Sequence, residues 1–470
     1  MIRVVVLGAG PAGLGAALEL AEAGFAPTVI ERQHAVGGST ASFDVGGVRV
    51  DLGSHRLHPA ADPSVLDRLR RLLGDDLLVR PRHGRIRLQG RWIHFPLRPV
   101  DLALRLPPRF AFHAGSDAVG KLLRRTSTPS EETFADVLER GLGPTICREF
   151  YFPFARKIWG LEPTEISAIQ ARKRVSAGSF GALFRRLLPG GRGGRTPKGV
   201  FLYPRRGYGQ ICERLAEESV RAGATLALGT AVETVERIDR GGFAVRARGE
   251  RGLETITADH VWSTIPVGAL VTLLRPSAPK DVLDATASLE TRAMVLVYLV
   301  LAANRFTEFD AHYFPEASIP FTRVSEPKNY RGESDPRGRT VLCAEIPCDV
   351  GDAIWVSSDD ALGDLVREGL DRAGLPVRAK LLEVVSRRLP HAYPRYRRGY
   401  EVAFDRIDSW LDGIEGLLTY GRQGLFVHDN THHALFMASA AVAAFRERGT
   451  IDREAWRRSR AVFATHVVED

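Results

Sequence analysis

The residues best suited to chemistry stand near the start of the chain. Gly8-Ala9-Gly10-Pro11-Ala12-Gly13 directly follows the apolar run Ile2-Arg3-Val4-Val5-Val6-Leu7, and Glu31 closes a second such run, Ala26 to Ile30. In this spacing the first glycine permits a tight turn and the second lets the backbone approach a pyrophosphate. The third lets a helix pack closely on a strand. Free N–H groups and the dipole at the helix start favour the phosphate charge, and an acidic side chain at the second strand end accepts hydrogen bonds from ribose. The chemistry is therefore dinucleotide binding. The elements that must position it are a buried parallel strand, a helix from Leu14 to Ala23 ended by Gly24, and a second strand. A glycine motif is informative only in this βαβ setting.

The choice between a nicotinamide and a flavin dinucleotide turns on the residues after Glu31. Gly37-Gly38-Ser39 opens another glycine-rich turn, Gly46-Gly47 sits in a hairpin-like segment, and Val50-Asp51-Leu52-Gly53-Ser54-His55-Arg56 comes next. So small a backbone suits a long flat group lying against it, with ordinary surface turns as the alternative. This favours FAD. His428, His432 and His433 invite thought of a metal, but no metal is expected. Cys147, Cys212, Cys343 and Cys348 have neither CxxC nor zinc spacing and read as buried thiols. No Ser-His-Asp or Cys-His order stands in an elbow context, so hydrolysis has little support.

At 470 residues, 44% hydrophobic and 26% charged, the chain is an ordinary globular protein of two or three domains. The net charge of +9 is scattered and carries no nucleic-acid-binding module. An anionic cofactor and a phosphorylated substrate would use it equally well. There is no apolar stretch long enough to span a bilayer. The strand-like opening leaves no room for a signal peptide, so a cytoplasmic protein is expected.

An ordered set of segments resembles the FAD-dependent amine-oxidoreductase superfamily, in the branch similar to UDP-galactopyranose mutases and protoporphyrinogen-oxidase-like proteins. After the glycine opening come DLGSHRLHP at 51–59, YFPFARKIWGLEPTEISAIQARKRVS at 151–176, YPRRGYGQICERLAEE at 203–218, and DHVWSTIP at 259–266. HAYPRYRRGY at 391–400 and GRQGLFVHDNTHHALFMASAAVAAF at 421–445 close the series. The resemblance implies FAD held by Gly8, Gly10, Pro11, Ala12, Gly13, Glu31, Arg32, Gly38, Ser39, Gly53, Ser54 and His55. From later in the chain it adds Val232, Gly421, Asp429, Asn430, His433 and Ala434. It also directs attention to His55, Arg56, Arg156, Trp159, Tyr393 and Tyr396 as catalytic candidates, with Lys157, Arg172, Arg174 and Arg395 beside them.

The expected fold is α/β: a Rossmann-like, glutathione-reductase-like FAD-binding domain with an inserted α+β substrate domain. The FAD domain is assigned to 1–95, 200–270 and 400–470, and the insertion to 96–199 and 271–399. Helices are expected at 63–78, from a Thr128-Pro129-Ser130-Glu131 cap to Leu142, at 357–375, and from about Ala434. Short strands fill 223–265, and the glycine-rich 190–195 reads as a loop. The expected function is hydride transfer between flavin N5 and an organic substrate, phosphorylated or sugar-like. A flavin-dependent nucleotide-sugar mutase is the alternative. Expected partners are a small-molecule substrate, a nucleotide sugar or another phosphorylated compound, and no nucleic acid. A homodimer and peripheral membrane contact are compatible with the sequence.

Overall fold

A computed structural model describes residues 2–96, 104–110, 112–113, 116–117, 132–174, 199–239, 241–332, 336–446 and 449–468. The two opening strands, Val4–Leu7 and Thr28–Ile30, lie side by side in a parallel five-stranded sheet. Across the sheet the order is Leu417–Thr419, His260–Ser263, Val4–Leu7, Thr28–Ile30 and Thr225–Ala227. Strands far apart in sequence thus share one sheet. Val4, Val5, Val6 and Leu7 are all buried, as a strand covered on both faces requires.

The glycine-motif helix, Pro11–Glu22, packs between two others, Gln210–Arg221 and Thr431–Ala443. The last begins three residues before the expected start. On the other side of the sheet, Ala231–Arg237, Phe243–Gly249 and Gly252–Ala258 form an antiparallel meander, with Leu274–Arg275 added in parallel.

A seven-stranded sheet forms the second layer. Its order is Leu381–Pro394, Thr291–Leu301, Thr340–Cys348, Arg323–Ser325, Ala311–Tyr313, Gly84–Leu88 and Arg91–Phe95. Strand Thr291–Leu301 is buried on both faces, which explains its unbroken apolar sequence. Val295, Val297 and Leu299 share a core with Leu362, Val366 and Leu370 of the helix Asp359–Arg372. Leu296, Tyr298 and Val300 meet the hairpin of Ser42–Val45 and Val48–Asp51.

Several expectations need correction. Residues 84–95, expected in the FAD domain, instead hydrogen-bond to Ala311–Tyr313, and the turn at Gln89-Gly90 brings Ile93 into one small core with Leu88. Residues 274–288, expected in the insertion, join the cofactor half. Leu274–Arg275 pairs with the meander, and Lys280–Ser288 packs on Tyr400–Asp412. The helix expected from Thr128 begins at Phe134, where Thr133 and Asp136 form a capping box. The Thr128–Glu131 segment and the 190–195 loop lie outside the described residues, as does the side chain of Arg174. No helix among the described residues is long and apolar enough to cross a membrane.

Candidate active site

The glycine motif folds as its spacing demands. Gly8 takes φ +100°, and a Cβ on Gly13 would sit 1.9 Å from the Gly8 carbonyl oxygen, so both positions are closed to side chains. Gly15 lets the same helix touch Leu435 and Ala438 of the Thr431–Ala443 helix. The two helices run together with their N-termini on one cavity, lined by Pro11 from the first and by Asn430, Thr431 and Ala434 from the second. Each terminus offers main-chain N–H groups without an intrahelical acceptor, and each carries the positive end of a helix dipole. Glu31 accepts from the N–H groups of Ala9 and Gln33, both at 2.9 Å, which fixes its carboxylate beside the glycine turn. Gly38 takes φ +53° and faces Gly10, where a Cβ would stand in ordinary contact, 3.5 Å from the Gly10 Cα. Gly421 meets Ala12 at 2.8 Å in the same sense. A bare cradle ringed by N–H donors, with an acidic group at its far end, fits an anionic dinucleotide.

The rest of the cavity is basic. His55, Arg56, Arg323 and Arg422 all line it, with Ser39, Thr40, Ser54, Tyr208 and Asp429. Arg56 bonds Tyr313 Oη at 2.8 Å and Asp310 Oδ1 at 3.1 Å, and lies over the rings of Phe201 and Tyr330 at 5.2 Å each. Burial opposes its charge, but Tyr313, Tyr330 and Asp310 outweigh that penalty and hold the guanidinium protonated. Arg323, on the seven-stranded sheet, makes a forked contact with both oxygens of buried Glu345, at 2.9 Å each. It also donates to the Ser54 carbonyl at 3.1 Å, and Glu345 accepts from the Ser54 N–H at 2.9 Å. Arg422 donates to the Ala392 carbonyl at 2.7 Å and lies over the Tyr393 ring.

His55 Nε2 lies 2.9 Å from the Leu52 carbonyl oxygen, which can only accept, so Nε2 carries the proton. Its ring stacks on Tyr208 with centroids 5.2 Å apart. Burial lowers its pKa below the usual 6.5, so the ring is neutral at pH 7 and Nδ1 is its acceptor. Buried Asp51 braces this wall, accepting from Tyr203 Oη at 2.5 Å, Ser42 Oγ at 2.6 Å and the Tyr208 N–H at 2.9 Å.

Not every residue expected at the site is there. Arg156 is half exposed and pairs with Glu162, because it lies on the outer face of its helix, Phe152–Trp159. Its neighbour Lys157 turns inward, donating to the carbonyls of Phe314 and Glu316 at 2.6 and 2.5 Å. Tyr396 is buried against Tyr400, with its hydroxyl on the Phe426 carbonyl at 3.0 Å, and serves the core. Trp159 is buried with Phe134 and meets His428 edge-on, one layer behind the cavity. Tyr393 also stacks on His428 and lies beneath Arg422, close enough to act on the charge of Arg323 as well. Arg32 is exposed, and Val232 lies on the meander next to Thr230, whose N–H donates to the Glu31 carbonyl at 2.8 Å. Both sit at the Glu31 end. Arg172 pairs with Glu132, and Arg395 with Asp349 and Glu290.

Arg323, Arg422, Tyr208 and His466 were not singled out by the sequence. His466 Nδ1 lies 2.6 Å from Asp429 Oδ2. No local signal marks any of the four, since their partners are distant in the chain.

Among solved structures, the chain is similar to a reduced UDP-galactopyranose mutase, with a TM-score of 0.81 at 21% identity over 100% of both chains. It is also similar to a putative protoporphyrinogen oxidase from Exiguobacterium sp. 255-15, with a TM-score of 0.70 at 21% identity, covering 93% of this chain and 98% of that one. At such identities the likeness concerns the fold. In sequence it is 29% identical over 264 residues to the putative flavin-containing monoamine oxidase AofH of Mycobacterium tuberculosis, covering 53% of this chain and 54% of that protein. The chain therefore spans about half the length of the curated relatives it matches first. The family described as flavin containing amine oxidoreductase matches residues 11–446, nearly the whole chain. With the glycine cradle and paired helix termini in place to hold FAD, the cofactor of this family, the chain belongs to the flavin-containing amine oxidoreductase family.

Proposed function

We propose that this chain is an FAD-dependent oxidoreductase that transfers a hydride between flavin N5 and an anionic organic substrate, phosphorylated or sugar-like. The observation that carries this reading is the convergence of Arg56, Arg323 and Arg422 with His55 on the cofactor cavity. Guanidinium groups bind phosphate and carboxylate oxygens through paired hydrogen bonds. Asp310 and Glu345 hold two of the three arginines in place and offset their mutual repulsion. A phosphate group entering the cavity then meets donors already aimed inward. FAD, when bound, supplies the hydride acceptor or donor at N5.

His55 has the protonation state required of a general base: a neutral ring whose tautomer the Leu52 carbonyl sets. Its Nδ1 takes the proton of a substrate O–H or N–H as the adjacent carbon loses hydride. Tyr208 holds the ring in position by stacking. The test is anaerobic mixing with a panel of phosphorylated alcohols and sugars. Loss of the yellow flavin absorbance with a member of the panel is the expected result; turnover without any redox change of substrate contradicts it.

A second reading, a nucleotide-sugar mutase, is favoured by the full-length similarity to reduced UDP-galactopyranose mutase. Chromatography of UDP-galactopyranose incubated with pre-reduced protein tests it. An isomer of equal mass supports it, and unchanged substrate removes it.

A further inference from the structure

Lys157, in the last turn of the helix Phe152–Trp159, does not line the cofactor cavity, yet its contacts lead there. Its ammonium donates to three main-chain carbonyls: Phe314 at 2.6 Å, Glu316 at 2.5 Å and Phe321 at 3.3 Å. An ammonium has three N–H donors and no acceptor, so every proton is used. Carbonyl dipoles meet its charge, because the nearby Glu316 carboxylate is engaged by Arg87 and the Gly90 N–H.

All three carbonyls belong to the loop 314–321, which joins Ala311–Tyr313 to Arg323–Ser325. Both strands are three residues long, so the ladder between them is short. The Phe314 and Phe321 rings meet edge-on at 4.8 Å, in the core shared with the helix Asp359–Arg372. Buried carbonyls need donors, and Lys157 supplies one to each. The two ends of the loop lead into the cavity. Tyr313, just before it, accepts from Arg56 at 2.8 Å, and Arg323, two residues beyond Phe321, lines the cavity wall. Glu345 holds the Arg323 guanidinium, whereas the loop ties down the backbone that carries it.

Given the proposed role of the arginines in binding substrate, we propose that Lys157 is a positioning residue for the anion site. By drawing the 314–321 loop onto the helix Phe152–Trp159, it fixes Tyr313 and Arg323 where a phosphate group meets them. The glycine cradle stands on the parallel sheet and shares none of the three bonds. Loss of the ammonium therefore loosens the anion site and spares the cofactor.

The test is titration of the holoenzyme with UDP, read in the flavin absorbance, for wild type, Lys157→Met, Lys157→Gln and Lys157→Arg. Burial pushes the Lys157 pKa down to about 7, so mildly acidic buffer keeps the ammonium charged. Lys157→Met keeps the stem without a donor. Its UDP affinity should fall about tenfold or more, the loss of one charge-assisted contact, with the flavin-to-protein ratio unchanged. Lys157→Arg restores charge and donors and should recover affinity to within a few-fold. Lys157→Gln keeps an uncharged amide donor, falls between the two, and carries the comparison if the Met variant does not fold. Amide hydrogen exchange over 313–323 in the ligand-free holoenzyme should quicken in Lys157→Met. Equal UDP affinity in wild type and Lys157→Met, or a loss that Lys157→Arg does not recover, overturns the proposal and leaves the arginine cavity standing. Unchanged exchange over 313–323 overturns it whatever UDP does. A wild-type flavin that responds to neither UDP nor inorganic phosphate overturns it together with the anion-binding role of the arginines.

Discussion

At the scale of single residues, the proposed function divides the site into groups that bind and one that moves a proton. Arg422 lines the cofactor cavity, held by the Ala392 carbonyl and lying over the Tyr393 ring, and in the proposed function it meets the substrate anion. Arg422→Ala should raise KM about 10- to 100-fold, the loss of one charge-assisted contact, with kcat within a few-fold. Steady-state kinetics check it; an equal fall in kcat would place the residue in the chemical step. His55→Asn keeps an N–H donor for Leu52 but removes the ring acceptor, and kcat should fall roughly 10²- to 10⁴-fold. The sign of the pH dependence is set by burial. The folded-state pKa is lowered, so the neutral base persists through pH 7, and the rate of flavin reduction falls only as pH drops through a value below 6.5. Stability moves the same way, since below 6.5 the unfolded chain takes up the proton first and native stability declines with falling pH. Stopped-flow reduction between acidic and neutral pH decides this, and an acidic limb above 6.5 would contradict it.

At the scale of elements, the local signals were legible and the packing was not. The strand–glycine–helix unit could be read because each residue's task is settled by its immediate neighbours: φ at Gly8, close approach at Gly13. Gly13→Ala should therefore cost about 1–3 kcal/mol or more, as overpacking does, and release the flavin. A lower denaturation midpoint together with a reduced flavin-to-protein absorbance ratio checks it. Arg156 shows why the catalytic set was harder to read. Its helix carries Arg156 and Lys157 side by side, and nothing in that pair says which turns inward. Arg323 escaped notice because its meaning depends on Glu345, one strand away and fully buried. Glu345→Gln leaves that guanidinium without its counter-charge in a dry setting and should destabilise the fold by about 3–5 kcal/mol. Urea denaturation measures it, and a change under about 1 kcal/mol would show that water reaches the pair.

At the scale of the whole molecule, the cofactor cavity is lined from both layers. The parallel sheet and its helices supply the phosphate cradle, while the seven-stranded sheet supplies Arg323 and the partners of Arg56. Because FAD binds the folded chain, free FAD at 100 times its Kd should add about 2.7 kcal/mol to stability, seen as a rise in melting temperature on reconstitution. The broad division into a cofactor layer and a second sheet was visible in sequence, but its borders at 84–95 and 274–288 were not. Strand pairing there is set by contacts across hundreds of residues. The most direct test of the arginine-lined cavity is a titration of the flavin absorbance spectrum with UDP. An anion-binding cavity beside the flavin predicts a saturable spectral change in the native protein that weakens at least tenfold in Arg422→Ala, the factor given by about 1.4 kcal/mol. A spectrum indifferent to UDP and to every other phosphorylated ligand, in a protein whose flavin is bleached by a simple primary amine, would contradict it.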